Sequence, residues 1–368
     1  MKKISVRIIL AVFLIIALFS PQFVLAQSPP KEEKFEAVVT AVKEERQIEI
    51  NGKKQLYQKL ELKATSGRQK DKNIIVENGS IPLVKVQKYK TGDKLIITLS
   101  KTADGKDIYY ITDYIRRDSL YWLFAIFIGL AVFIGRKRGL LSLVGMVISF
   151  FIIFTFVLPQ ISAGNDPIII AIIASFFIIP LTFYLSHGLN IKTTAAVMGT
   201  LIALVITGIL ANIFVDSARL TGFASEEAGF LEMMKQGVFN MKALLLAGII
   251  IGVLGILDDI TVSQAAIVYQ LKKTSPKLSI DVLYSKAMDV GKDHIASMVN
   301  TLILVYTGAA MPLLLLFANS SGSFGQVINF EIIAEEIVRT LVASIGLILA
   351  VPITTFITAL LVYKKIKL

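Results

Sequence analysis

Seven nearly uncharged apolar runs, each close to 20 residues long and separated by short polar stretches, constrain this chain more than any motif in it. They fall at roughly 119–135, 139–158, 167–186, 193–214, 243–263, 295–318 and 339–363. At 1.5 Å of rise per residue, ~20 helical residues cross the ~30 Å hydrocarbon layer of a bilayer. A soluble core has no use for so many long apolar helices. Composition agrees: 55% of residues are hydrophobic, 18% are charged and mean hydropathy is +0.70. Soluble domains run nearer ~45–50% apolar and ~25% charged. The chain therefore reads as an all-α transmembrane bundle of seven spans, residues 119–368, carrying a different kind of domain at its N-terminal end.

Residues 1–27 have the form of a signal peptide or an uncleaved N-terminal anchor. Lys2, Lys3 and Arg7 precede an apolar run from Ile8 to Phe19, and Val24-Leu25-Ala26 offers a cleavage site. Either version places residues 28–118 outside the cytoplasm. The loops then alternate as the positive-inside rule requires. Arg136-Lys137-Arg138 falls inside, 159–166 outside without Lys or Arg, and Lys272, Lys273, Lys277, Lys286 and Lys292 inside. The outside stretch 319–338 again lacks Lys and Arg, and the C-terminus, with Lys364, Lys365 and Lys367, ends in the cytoplasm. The loop 215–242 mixes both signs and is neutral on the point. This is the pattern of a multi-pass protein of the cell membrane, in contact with the lipid bilayer.

Residues 28–118 carry apolar positions at period two. Leu56, Leu60 and Leu62 form one set, Leu95, Ile97 and Leu99 a second, and Tyr110 with Tyr114 a third. Asn51-Gly52, Ser66-Gly67, Asn78-Gly79, Thr91-Gly92-Asp93 and Asp104-Gly105 punctuate the runs as turns. The expectation is a small exported all-β domain of five or six strands, barrel-like in the manner of oligonucleotide/oligosaccharide-binding folds. Its Lys and Arg outnumber Asp and Glu by 19 to 14. Outside the cell that surplus suits strand-edge protection, or contact with an anionic envelope polymer or lipid, and nucleic acid is not expected as a partner. The rest of the formal +11 marks the signal segment and the cytoplasmic loops.

Inside the bundle, ionisable residues carry the most information, because each is costly at depth unless paired or hydrated. The fifth run continues through Asp258, Asp259, Thr261, Ser263 and Gln264, with Asp259 and Ser263 on one helical face. Asp289, Asp293, Ser297 and Asn300 recur at spacings of four, four and three, which draws a second polar stripe along one face. If the stripes meet, they line a cytoplasm-facing polar cavity for a hard cation, a proton or a small polar solute. The alternative is that the aspartates sit at the interface and pair with Lys272, Lys273, Lys286 or Lys292. Gly248, Gly252 and Gly255 have the spacing of a close helix-packing face, which would also serve a homo-oligomer. Pro180, Pro312 and Pro352 fall within spans, and Thr200, Thr207 and Asn212 either line a cavity or bond between helices. His187 and His294 lie at helix ends, where interfacial placement suits them better than metal ligation. Phe223, Phe230, Met233, Met234 and Phe239 among acids suggest an amphipathic segment on the bilayer. Glu331, Glu335 and Arg339 share a face, with Glu335 and Arg339 set for an i,i+4 ion pair at the start of the last span.

The absence of cysteine excludes disulfides, thiolate metal sites and cysteine nucleophiles. Phosphate-binding loops, zinc-protease helices and serine-hydrolase elbows are missing as well, so no enzyme activity and no cofactor are expected. The leading reading is a gradient-driven permease or channel-like protein. Its rival is a non-transporting anchor or scaffold whose exported domain binds an envelope component or partner protein.

Three stretches carry a resemblance. They are Gly252-Val-Leu-Gly255-Ile-Leu-Asp258-Asp259-Ile-Thr261-Val-Ser263-Gln264, then Gly291-Lys292-Asp293-His294 on to Asn300-Thr301 and Tyr306-Thr-Gly308, and Glu335-Glu336-Ile-Val-Arg339 on to Gly346 and Pro352-Ile-Thr354. In these the chain resembles the YibE/F family of polytopic bacterial membrane proteins, from about residue 35 onward. The resemblance implies a multi-pass membrane protein with a polar set at Asp259, Ser263, Asp293, Asn300 and Arg339. It implies no substrate, and His294 departs from the apolar residue more usual after that Asp.

Overall fold

A computed structural model describes residues 33–82, 85–101, 107–234, 237–319 and 322–366. The expected signal or anchor at 1–27 lies outside the described residues. Two compact units divide the chain between Leu130 and Ala131. The boundary between these units falls within the first helix. The helix start belongs with the sheet because Arg117 forks onto Glu36 with two hydrogen bonds and Lys94 pairs with Asp118 at 2.6 Å.

The N-terminal unit is one antiparallel five-stranded sheet of β1 (Glu33–Ile50), β2 (Lys53–Ala64), β3 (Asn73–Asn78), β4 (Lys94–Lys101) and β5 (Asp107–Tyr114), in the order β3-β2-β1-β4-β5. Asn51 and Gly52, with φ of 54° and 74°, make the two-residue β1–β2 hairpin, since this turn needs two left-handed residues in succession. The edge strands β3 and β5 approach one another without pairing, so the sheet curls toward a barrel while staying open. Its core is Phe35, Ala37, Val39, Leu60, Leu62, Ile74, Val76, Leu95, Ile97 and Leu99, the period-two positions. Strand β5 departs from the sequence expectation. Leu95 faces Tyr114 and Ile97 faces Ile111, with a register shift between Ile96 and Ile97. That irregularity places Tyr114 with Ile111 and Tyr109 against the core and leaves Tyr110 48% exposed, because one extra residue reverses the alternation of faces.

The helical unit continues α1 (Arg117–Ile152) through a π-helical turn (Ile153–Val157) into α2 (Leu158–Ser162), then α3 (Pro167–His187), α4 (Ile191–Ser217), α5 (Glu226–Met234), α6 (Met241–Thr274), α7 (Ile280–Ala309), α8 (Met311–Ala318), α9 (Phe324–Val327) and α10 (Glu331–Ile366). Side chains start several of these where the sequence places capping residues. Asp166 accepts from the N–H groups of Ile168 and Ile169, Asn190 from Thr193 and Asn240 from Ala243.

Among the described residues, five helical runs are long and apolar enough to cross a membrane, or six if α7 and α8 count as one span bent by 70°. The sequence suggests seven. The difference lies in the 46-residue run Arg117–Ser162, broken at Arg136, whose φ of 49° and ψ of −132° are not helical. The break coincides with the basic connection expected between the first two spans. Pro312 sits in the first turn of α8 at the other bend, whereas Pro180 and Pro352 lie within unbroken α3 and α10.

Helices α4, α6 and α10 form the centre, with α3 packed on α4 and α6, and α7 on α10 and α6. Their contact surface is built from Ala196, Ala203 and Ala211, Ile249, Val253 and Leu257, and Ala343, Leu347 and Ala350. Small residues let these backbones approach, but not the glycines the spacing suggested. A Cβ at Gly248, Gly252 or Gly255 meets nothing within 4 Å. Helix α6 buries Ile249, Ile250, Val253 and Leu257 and leaves the glycine stripe on its open side. The close approaches are at Gly199, where a Cβ would strike Thr354, at Gly346 against Thr207, and at Gly291 against Val351 at 2.6 Å.

Candidate functional site

The described part of the helical unit has two kinds of polar interior. The first is a dry seam. Thr200 and Thr261 share a hydroxyl hydrogen bond of 2.7 Å between α4 and α6. Gln264, fully buried, donates from Nε2 to the Ala287 carbonyl at 2.9 Å and to the Thr355 hydroxyl at 2.7 Å, joining α6, α7 and α10. Thr207 donates to its own helix at Ala203, and Asn212 lines an apolar hollow of about 330 Å³. Thr200, Thr207, Thr261, Thr355 and Gln264 are buried, and Gln264 leaves its Oε1 without a partner.

The second is a chamber of about 710 Å³ where the α7–α8 bend meets the starts of α6 and α10 and the segment around α5. Three carboxylates, Glu227, Glu335 and Glu336, and one guanidinium, Arg339, line it together with Tyr306, Pro312 and aliphatic side chains such as Leu244, Leu245, Leu313 and Ile332. The bend places Ala309 and Ala310, the C-terminal end of α7, at this wall. Helix ends leave backbone groups without intrahelical partners, which is how broken membrane helices present polar atoms at depth.

The acidic start of α10 organises the chamber wall. Glu331 accepts from the Thr221 hydroxyl at 2.7 Å, from the Thr221 N–H and from the Gly222 N–H at 3.2 Å. Gly222 is required there: its φ is +82°, and a Cβ would run into the Met241 carbonyl. One turn on, Glu335 is 8% exposed and leaves Oε1 buried with no partner. Arg339 does not pair with Glu335, as the i,i+4 spacing suggested. It donates instead to Glu336 at 2.6 Å, an i,i+3 pair. Glu335, the most buried of the chamber's acids, therefore has no ion-pair partner.

Among the described residues no side-chain hydrogen bond or ion pair links the two aspartate stripes. Asp259, Ser263, Asp289, Asp293 and Asn300 are exposed, and Asp258 is half-buried next to Asp259. Asp289 pairs with Lys292 at 3.1 Å on α7 itself, one of the pairings the alternative expected. Asp258, Asp259, Ser263, Asp293 and Asn300 form no side-chain hydrogen bond or ion pair among the described residues. Lys272, buried at the end of α6, donates to the carbonyls of Pro276 and Leu278 and lies over the Tyr363 ring at 4.7 Å. No three acidic or imidazole side chains among the described residues converge at metal-ligand spacing. His294 leaves a buried Nδ1 without a partner, and His187 closes the last turn of α3.

Sequence reasoning missed the chamber. Pro312 within an apolar run and Glu335-Glu336 beside Arg339 were visible, but the first reads as a commonplace kink and the second as a stabilised helix start. What joins them is the bend at Ala310, which no local pattern announces.

The family model described as YibE/F-like protein matches residues 123–364. The match covers the span region and leaves out the sheet, which the sequence resemblance had included. No curated protein and no solved structure matches the chain.

Proposed function

From the premise that the chain belongs to the YibE/F-like family, we propose that it is a gradient-driven permease or channel-like protein of the cell membrane for an ion or small polar solute. One observation carries the reading: a 710 Å³ chamber at a broken helix, holding a nine-tenths-buried carboxylate with a free oxygen. A carboxylate held out of water at the start of a span is costly unless a proton, a cation or water completes it, and such residues mark solute or proton pathways. In this reading the Arg136 break is a turn between two spans and the bent α7–α8 pair is one interrupted span, which gives seven crossings. The sheet stands outside, the C-terminus inside, and the chamber opens toward the outer face. Asp259 and Asp293 flank the inner end of the path. No catalytic step is assigned, and lipid is the surrounding solvent.

The test is solute-driven flux in vesicles reconstituted with the full chain, followed by pH- and voltage-sensitive dyes. Wild-type protein is expected to pass a cation or polar solute, and Glu335→Gln to abolish that flux while inserting normally. Equal flux in protein-free vesicles and in wild type, across inorganic cations, ammonium compounds and neutral solutes, refutes the proposal. Truncation of residues 33–114 separates the scaffold reading: retained flux leaves the sheet an accessory, and lost flux with normal insertion assigns it the function.

A further inference from the structure

We infer that the chamber binds a small organic cation, an ammonium group carried on a short apolar body. The inference rests on the chamber being a solute site and goes further by naming the chemical class of the solute.

Charge comes first. Glu227, Glu335 and Glu336 face one Arg339, and Glu336 already occupies that arginine at 2.6 Å. Glu335, 8% exposed, is left with an unpartnered Oε1. A buried carboxylate in that state is stabilised either by taking up a proton or by receiving a cation. The surplus of acid favours a positive ligand over an anion or a neutral sugar.

Size and wall chemistry then separate the cations. A volume of about 710 Å³ lies within the ~300–1,000 Å³ typical of small-molecule sites and far exceeds what one dehydrated metal ion fills. Divalent cations want six or more oxygens, and among the described residues no acidic or imidazole trio converges at such spacing. Leu244, Leu245, Leu313 and Ile332 give the chamber aliphatic walls, which reward an apolar body and repel a hydrated ion. Tyr306 adds an aromatic ring, a favourable neighbour for an ammonium group. An amine with a few carbons satisfies the carboxylate and the walls together, and neither an inorganic ion nor a neutral alcohol does both.

The experiment is calorimetric titration of the purified full chain in lipid nanodiscs at constant ionic strength. The probes are n-butylammonium, sodium, and n-butanol as the neutral isostere. Saturable butylammonium binding at least tenfold tighter than either control is expected, with a loss of tenfold or more in Glu335→Gln. Glu335→Asp, which keeps the charge, retains binding. Should Glu335→Gln fail to fold, Gly248→Met tests the same claim. Gly248 lines the chamber and a Cβ there meets nothing within 4 Å, so the added side chain is expected to occupy part of the cavity and to weaken binding tenfold or more. Absence of saturable butylammonium binding, equal binding of sodium or butanol, or unchanged binding in both Glu335→Gln and Gly248→Met overturns the inference. Butylammonium that binds but is not carried across vesicles upholds this site and refutes the permease reading. Flux of another solute without butylammonium binding or competition does the reverse.

Discussion

The sheet and the helical unit treat buried polar groups in opposite ways. In the sheet, Gln58 is fully buried, yet its Nε2 donates to the Tyr89 carbonyl at 3.0 Å and its Oε1 accepts from the Tyr89 N–H at 2.9 Å, so a side chain completes a backbone ladder. In the helical unit, Thr193, Gln264, His294, Glu335 and Thr354 each leave a buried polar atom without a partner, and no described residue of the sheet does. Water is an alternative partner for every polar group of a folding soluble domain, so an unpaired one there is selected out. The contrast is one of hydrogen-bond satisfaction: the sheet pairs its buried amide fully, and the described helical residues leave five buried atoms open.

The sharpest way to break the contrast is to make the sheet imitate the helices. Gln58→Leu keeps the volume and strands both backbone groups of Tyr89. Each unsatisfied buried group costs ~1–3 kcal/mol, so a loss of roughly 2–5 kcal/mol is expected. Hydrogen exchange of the full chain reads it as faster exchange across β2, β3 and β4, with α4, α6 and α10 unchanged. Unaltered protection at β4 would mean that the Gln58–Tyr89 pairing does not stabilise the sheet.

A smaller effect tests packing within the helices. Gly346→Ala drives a methyl into Thr207 and is expected to cost ~1–3 kcal/mol, the range for overpacking. Adding Thr207→Ala is expected to recover most of that loss, since it removes the atoms struck. Gly252→Ala, at an open position, is expected to be neutral or to stabilise by up to ~1 kcal/mol through helix propensity. Thermal unfolding in nanodiscs ranks the three, and a Gly252→Ala protein less stable than Gly346→Ala would show that the open stripe is covered by a second copy.

These two cases show how far the sequence could be read. Periodicity carries the apolar blocks, the strands and the Asn51-Gly52 turn, because each is set by neighbours in the chain. It identified Leu60, Leu62, Leu95 and Ile97 as core for the same reason. It failed at Tyr110, where one irregular residue reversed a strand face, and at Gly248, Gly252 and Gly255, where correct spacing lay on the wrong side of α6. Gly199, Gly346 and Gln264 matter through partners 91 to 155 positions away, Thr355 for Gln264, Thr354 for Gly199 and Thr207 for Gly346. The chamber is the extreme case: four separate segments meet at it, and only the 70° bend between α7 and α8 brings them together.

The smallest expected effect concerns the residues that stood out most in the sequence. Asp259 lies 18 residues beyond Met241, ~27 Å along α6 at 1.5 Å per residue, which places it near the far edge of a ~30 Å hydrocarbon layer. Asp293 is exposed on α7, and neither residue makes an ion pair or a side-chain hydrogen bond. An exposed, unpaired charge at a hydrated edge holds nothing in place, so Asp259→Asn and Asp293→Asn are each expected to shift unfolding by less than ~0.5 kcal/mol. They are also expected to leave vesicle flux standing where Glu335→Gln abolishes it. Stabilisation by ~2 kcal/mol or more would mean that these carboxylates face lipid. Loss of flux with unchanged stability would move the decisive acid from the chamber to the inner ends of α6 and α7, and would show that burial is not what selects the working carboxylate in this protein.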